Sequence, residues 1–212
     1  MIKETVSARE AERFYDRLGG LYDLAERYEG RAKARALALL EPSPGQTVLE
    51  VGAGTGKILA RLRAAVAPTG QAIGFDLSPV MIALACDRTG APVCRGDVRH
   101  LPFAEGSVDR LFCSYVLDLI PTRDLPGVLS EFHRVLKPGG RLVVVTLTEG
   151  VDVPSRAIVG LWKLVYSVSP VVCGGCRPLQ MSDFALGANL VVRAREVVVQ
   201  LGIPSEVLAA ER

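Results

Sequence analysis

Apolar and polar positions change rhythm three times along the chain. From Ala8 to Tyr28, and again from Gly30 to Leu40, charges mix with apolar residues at helical spacing, and "PSPG" at Pro42–Gly45 stops the second run. Branched apolar runs then alternate with longer amphipathic ones. They predict strands over Thr47–Val51, Gln71–Asp76, Pro92–Arg95, Val108–Ser114 and Arg141–Leu147, with helices over Lys57–Ala65, Pro79–Asp87 and Gly127–Val135. Beyond Gly150 the alternation lapses into an apolar stretch around Trp162. Two strand-like runs follow, "NLVVRAREVVVQ" and "SEVLAAER", on either side of Gly202-Ile203-Pro204, and predict an antiparallel hairpin.

Strands alternating with helices predict right-handed crossovers, a parallel sheet and a ligand site at the carboxyl ends of the strands. The expected fold is α/β, a seven-stranded, mostly parallel sheet with a C-terminal antiparallel hairpin. One domain is expected, divided into a helical cap (1–45), a core (46–150), an apolar lid or acceptor segment (151–189) and the hairpin (190–212).

Composition narrows the function. With 49% hydrophobic residues and a net charge of +2, the chain favours a folded core and presents no strong field for nucleic acid. Five scattered cysteines and the early charges Lys3, Glu4 and Arg9, with no apolar leader before them, fit a reducing cytoplasm. The apolar stretch Ala157–Val172 carries Lys163 and Pro170 and is too short to cross a membrane, although it is suited to lie on one. "CGGC" at Cys173–Cys176 has C-x-x-C spacing without a second ligand pair, so no metal is expected, and Arg177 beside it is available for an anion.

The chemistry concentrates in "VLEVGAGTGK", Val48 to Lys57. A Walker loop needs glycine five residues before the Gly-Lys pair and a hydroxyl after it, where Val51 and Ile58 stand. A dinucleotide fingerprint needs glycine at position 57, where Lys57 stands; this weakens that reading and leaves it open. A cofactor without phosphate, bearing a sulfonium, an ammonium and a vicinal diol, would want acidic acceptors instead. Glu50 ends the first strand, Asp76 ends the second and Asp97 follows the third, so three carboxylates converge on one sheet edge.

The segment from Val48 to Leu147 resembles the core of class I S-adenosylmethionine-dependent methyltransferases. "EVGAGTG", "GFDLSPVMIALA", "GDVRHLPFAEGSVDRLFCSYVL" and "HRVLKPGGRLVVV" resemble four of that family's motifs in order, over roughly half the chain. The resemblance implies a Rossmann-like fold, S-adenosylmethionine as cofactor and S-adenosylhomocysteine as product. It implies that Gly52, Ala53, Gly54 and Gly56 line the methionine and ribose portion, and that Asp76 holds the diol. Leu77 and Met81 would pack the adenine, Asp97 and Val98 would meet its amino edge, and Ser114 and Glu50 would approach the methionine moiety. A glycine in such a turn also serves the turn alone, and Met81 on a helix also serves the core.

Two residues are candidates for catalysis. Asp118, after the fourth strand, is placed to take a proton from an acceptor, and departs from the family's usual histidine or other polar residue there. "FYDRLGGLYD" sets Tyr15-Asp16 and Tyr22-Asp23 seven residues apart, on one helical face. It resembles the opening of the quinone-biosynthesis and phospholipid N-methyltransferases, which implies that Tyr15 reaches the cofactor carboxylate and Tyr22 faces the acceptor. His133 is expected to be structural, and His100 to border the cofactor pocket. With its lid-like 151–189 segment, the chain is expected to methylate an apolar or lipid-like acceptor, a quinone precursor or phospholipid head group. A small soluble metabolite and a noncatalytic cofactor-binding module are the alternatives. Peripheral membrane contact is compatible with this composition, and the oligomeric state is not encoded in any feature above.

Overall fold

The computed structural model describes residues 5–181, 184 and 188–212; Lys3, Glu4 and part of the expected 151–189 segment lie outside them. Helices α1 (Ala8–Leu18), α2 (Glu26–Leu40), α3 (Lys57–Val66), α4 (Pro79–Thr89), α5 (Leu125–Val135) and α6 (Val153–Val168) surround seven strands. The strands are β1 (Thr47–Val51), β2 (Gln71–Asp76), β3 (Val93–Arg95), β4 (Val108–Ser114), β5 (Leu136–Leu147), β6 (Val191–Gln200) and β7 (Ile203–Glu211). They form one sheet in the order β3-β2-β1-β4-β5-β7-β6. The first five are parallel, and β7 pairs antiparallel with both β5 and β6. This is the expected α/β sheet with its terminal hairpin, and order reverses at β1, where β2 and β4 flank it.

Apolar side chains fill both faces of the sheet. One core gathers Leu49, Leu111 and Val144 beneath α5, and the other gathers Val48, Phe112 and Val143 beneath α2 and α3. Burial on both faces explains why these strands read as continuous apolar runs.

The amino-terminal segment departs from the expected single helix. Ser7 opens α1 with a capping box, its Oγ accepting the Glu10 N–H while Glu10 Oε2 accepts the Ser7 N–H. Gly19, at φ +50°, ends α1, and a 3-10 turn over Gly19–Ala25 leads into α2, which runs through Gly30. Tyr15 and Tyr22 therefore sit on different elements. β5 also starts five residues early, because Leu136 pairs with Val108 ahead of an irregular step before Arg141.

Candidate active site

The carboxyl ends of β1, β2 and β4 and the segment Thr5–Tyr15 enclose a cleft of about 470 Å³. Its floor is the glycine turn. Gly52 and Ala53 donate their N–H groups to the Phe75 carbonyl at 2.8 and 3.1 Å, which pins the turn over the end of β2. Gly52 has φ +76°, and a Cβ there would collide with Val116 Cγ2, so only glycine fits.

Asp76 is fixed by the same turn. Its Oδ2 accepts the Gly54 N–H at 2.8 Å and its Oδ1 accepts the Ser78 N–H at 2.9 Å, so the carboxylate spans β1's turn and α4's start. Burial raises its pKa against these bonds. Leu77, Met81, Val98 and Ser114 line the cleft beside it. Asp97 also lines it, already gripped by Arg99, which donates from Nε to Oδ1 and from Nη2 to Oδ2. Burial pushes the Asp97 carboxyl up, but the Arg99 bonds outweigh this and hold it below its ordinary value.

Glu50 reaches a small adjoining pocket of about 20 Å³ that shares Tyr22, Gly52, Gly54 and Ser114 with the cleft. It is 2% exposed, and its Oε2 has no hydrogen-bond partner. Burial pushes its pKa well up, opposed by Lys33 and reinforced by Asp76. Lys33 and Glu29, both buried on α2, pair at 2.7 Å. The Lys33 ammonium also lies 5.4 Å from the Tyr22 ring centroid and 5.7 Å from that of Tyr115. Neither α2 residue was foreseen, because on sequence they are an ordinary i, i+4 surface pair.

The two Tyr-Asp pairs turn out to be fasteners. Asp16 accepts the Ser78 hydroxyl at 2.5 Å, while Asp23 accepts Thr55 at 2.5 Å and Arg88 Nη2 at 2.8 Å. The cap is thus stitched to the glycine turn and to α4. The Tyr22 ring lies over Gly54, 3.5 Å from where a Cβ would stand, and its hydroxyl donates to Glu29 at 3.3 Å. Tyr15 lines the cleft with its hydroxyl 3.8 Å from Cys176 Sγ. Of the pair, Tyr22 is the one that covers the glycine turn.

Four expectations need correction. Asp118 is fully buried and is absent from the cleft wall. The 3-10 turn Leu117–Leu119 presents Leu119 to the cleft and aims Asp118 at the Leu147 N–H, 3.3 Å from Oδ2. Gly56 is likewise absent from both pockets: a Cβ there would lie 2.8 Å from Ala85 Cα, so it serves the close contact of α3 with α4. Arg177 is buried and donates to the Asp118 carbonyl and the Thr122 hydroxyl, which leaves it inside the fold. His100 is exposed and outside the cleft wall.

Residues 48–140 match the family model described as a methyltransferase domain. In sequence this stretch is similar to a methyltransferase domain, and its sheet has the fold of class I S-adenosylmethionine-dependent methyltransferases. The nocamycin O-methyltransferase of Saccharothrix syringae is 36% identical over 60% of this chain and 48% of its own length. The 2-phytyl-1,4-naphtoquinone methyltransferase of Synechococcus elongatus is 32% identical over 64% of this chain and 63% of its own. The chain spans between 33% and 63% of the length of such curated relatives. Among solved structures, a methyltransferase bound to the Trm112 activator from Haloferax volcanii superposes with TM-score 0.76 at 20% identity, covering 95% of this chain and 96% of that one. That likeness shows the fold.

The residues at this site fit that family's cofactor. Asp23, Glu50, Lys33 and Lys57 line the small pocket; Asp23 is engaged by Thr55 and Arg88 and Lys33 by Glu29, while the orphaned Glu50 oxygen is placed to accept from a ligand ammonium. Asp76 retains lone pairs on both oxygens for a diol. Among the described residues no group of His, Cys, Asp and Glu side chains could hold a metal ion.

Proposed function

We propose that this protein transfers a methyl group from S-adenosylmethionine to an apolar small molecule that ionises on its own, of the enol or quinol type. The observation that carries this reading is the pairing of the partnerless buried Glu50 oxygen with the Asp76 carboxylate at opposite ends of one glycine turn. When bound, the cofactor supplies a methyl on a sulfonium, displaced in line so that S-adenosylhomocysteine leaves neutral. Glu50 would take the ammonium, Asp76 the diol, and Leu77, Met81 and Val98 the adenine, while Tyr22 and Gly54 close over the chain between them.

The chain's part in the transfer is then alignment and exclusion of water. Every carboxylate in the described cleft wall is already engaged: Glu10 by Ser7, Glu12 by Arg95, Asp76 by Gly54 and Ser78, Asp97 by Arg99. Burial raises the phenols of Tyr15, Tyr22 and Tyr115 well above their ordinary value, so at neutral pH they donate hydrogen bonds and accept no proton. An acceptor that sheds its own proton suits such a wall better than a protonated head-group amine. Val6, Val116, Leu119 and Ile120 give the far side of the cleft an apolar surface. The naphtoquinone methyltransferase among the relatives supports this acceptor class.

Calorimetric titration with S-adenosylmethionine and S-adenosylhomocysteine, with NADH as control, tests the cofactor. Release of S-adenosylhomocysteine over a panel of quinols, enolic acids and amines tests the acceptor. Binding of NADH in place of the sulfur nucleosides would sink the reading, and turnover confined to amines would sink its acceptor half.

A further inference from the structure

Helix α6 turns an apolar stripe to solvent. Leu161, Leu164 and Val168 are 63%, 64% and 78% exposed at helical spacing, and Val165 and Val172 extend the row. The stripe continues sideways. Leu201, 75% exposed at the β6–β7 turn, precedes Gly202, where a Cβ would collide with Ile158 of α6. The same turn holds the start of α2, because Gln200 accepts the Arg31 N–H at 2.7 Å and donates to the Arg27 carbonyl at 2.8 Å. Leu24, Arg27, Tyr28 and Arg31 form one exposed face there.

The rim of this surface is basic. Among the described residues Arg27 and Arg31 are exposed and form no salt bridge, while Lys163 is neutralised by Glu149, and the exposed Arg156 lies one turn from Asp152, which caps α6. A second copy of the chain laid on this face would set one arginine rim against another. An apolar stripe bordered by uncompensated arginines is complementary to an anionic bilayer surface, with aliphatic side chains in the acyl boundary and guanidinium groups at the phosphates.

We propose that α6, the β6–β7 turn and the start of α2 dock this protein on an anionic lipid surface. No helix among the described residues is long and apolar enough to cross a membrane, so the contact is peripheral. The docking face adjoins the cleft: Trp162 of α6 donates to the Cys176 carbonyl at 2.8 Å, and Cys176 Sγ touches Tyr15 in the cleft wall. An apolar acceptor dissolved in the bilayer would thus meet the cleft without crossing water. That last consequence rests on the methyltransferase reading, whereas the docking itself does not.

Co-sedimentation of the full chain with phosphatidylcholine vesicles, with and without phosphatidylglycerol, tests the surface. Binding is expected with phosphatidylglycerol and should weaken as salt rises. Leu164→Glu with Val168→Glu should lower the partition coefficient roughly tenfold or more. Arg27→Ser with Arg31→Ser should lower it roughly fivefold per arginine and abolish the preference for the anionic lipid. Failure of the wild type to bind either vesicle, or binding indifferent to both pairs of substitutions, would overturn the proposal. So would a dimer in sedimentation velocity that the glutamate pair dissolves, since it would make a second copy the occupant. S-adenosylhomocysteine titrated into the same proteins separates the two readings. In the wild type, nucleoside binding without vesicle binding counts against docking alone, and vesicle binding without nucleoside binding counts against the enzyme reading alone; in the variants, retained nucleoside binding with lost vesicle binding supports docking.

Discussion

Replacing Asp76 by asparagine tests the cofactor site at its most constrained residue. In the wild type each carboxylate oxygen accepts one backbone N–H, from Gly54 or Ser78, and keeps a lone pair for the cleft. Asparagine keeps the shape but has one oxygen, so in either amide orientation one backbone N–H faces an NH₂ group. A diol bound there exchanges charge-assisted hydrogen bonds, worth about 1.5–3 kcal/mol each, for neutral ones worth about 0.5–1.5 kcal/mol. Over two bonds the loss is about 2–3 kcal/mol, or roughly 30- to 150-fold in Kd. Calorimetry with S-adenosylhomocysteine near neutral pH reads this directly. Adenosine supplies the internal control, because it carries the diol without the amino acid and should weaken by the same factor. An unchanged Kd for either ligand, in a variant that melts like the wild type, would refute the assignment of Asp76 to the diol.

Glu50→Gln should separate binding from stability: S-adenosylhomocysteine should weaken at least about tenfold, adenosine should be unaffected, and the ligand-free protein should melt higher. Because burial raises the Glu50 pKa, its carboxyl favours the folded state when protonated and opposes it when ionised, so the gain in melting temperature should grow with pH. Asp118→Asn should alter stability without altering adenosine binding. Burial raises Asp118 to about 7, against roughly 3.9 when unfolded. Its stabilising contribution is therefore complete below the unfolded value and lost as pH climbs through about 7, by about 4 kcal/mol across the window. Urea unfolding of wild type and variant from acid to neutral pH checks this, and a difference that stays flat with pH would exclude a buried neutral carboxyl at position 118.

The part of the cleft proposed for the cofactor was legible as a sheet edge because strand ends are legible. An acid or a glycine one step beyond an apolar run falls on the carboxyl edge of the sheet whatever else the chain does, which placed Glu50, Gly52, Asp76 and Ser114 where they stand. The same logic failed at Asp118, four residues past β4, because the chain had by then entered a 3-10 turn. There successive side chains step by about a third of a turn, and Leu119 took the place facing the cleft. Gly56 misled for the opposite reason: its neighbours in sequence belong to the turn, but its neighbour in space is Ala85. Lys33 and Cys176 carry no local signal, since their places beside Glu50 and Tyr15 follow from how α2 and the segment after α6 fold back onto the sheet edge.

This division has a chemical counterpart. Residues 48–140, which match the methyltransferase domain, supply the glycine turn, Asp76, Asp97 and Ser114, the groups suited to the cofactor. A large part of the remaining wall, Thr5 to Tyr15, comes from outside that stretch and is tied down by Asp16 on Ser78 and Asp23 on Thr55 and Arg88. Those two stitches join the cap to the same turn and helix start that hold Asp76. Filling the cofactor end therefore bears on the position of Tyr15 and Val6 at the other end, and an acceptor should bind more tightly once the sulfur nucleoside is in place. By linkage the acceptor must then tighten the nucleoside by the same factor, so the coupling can be measured from either side.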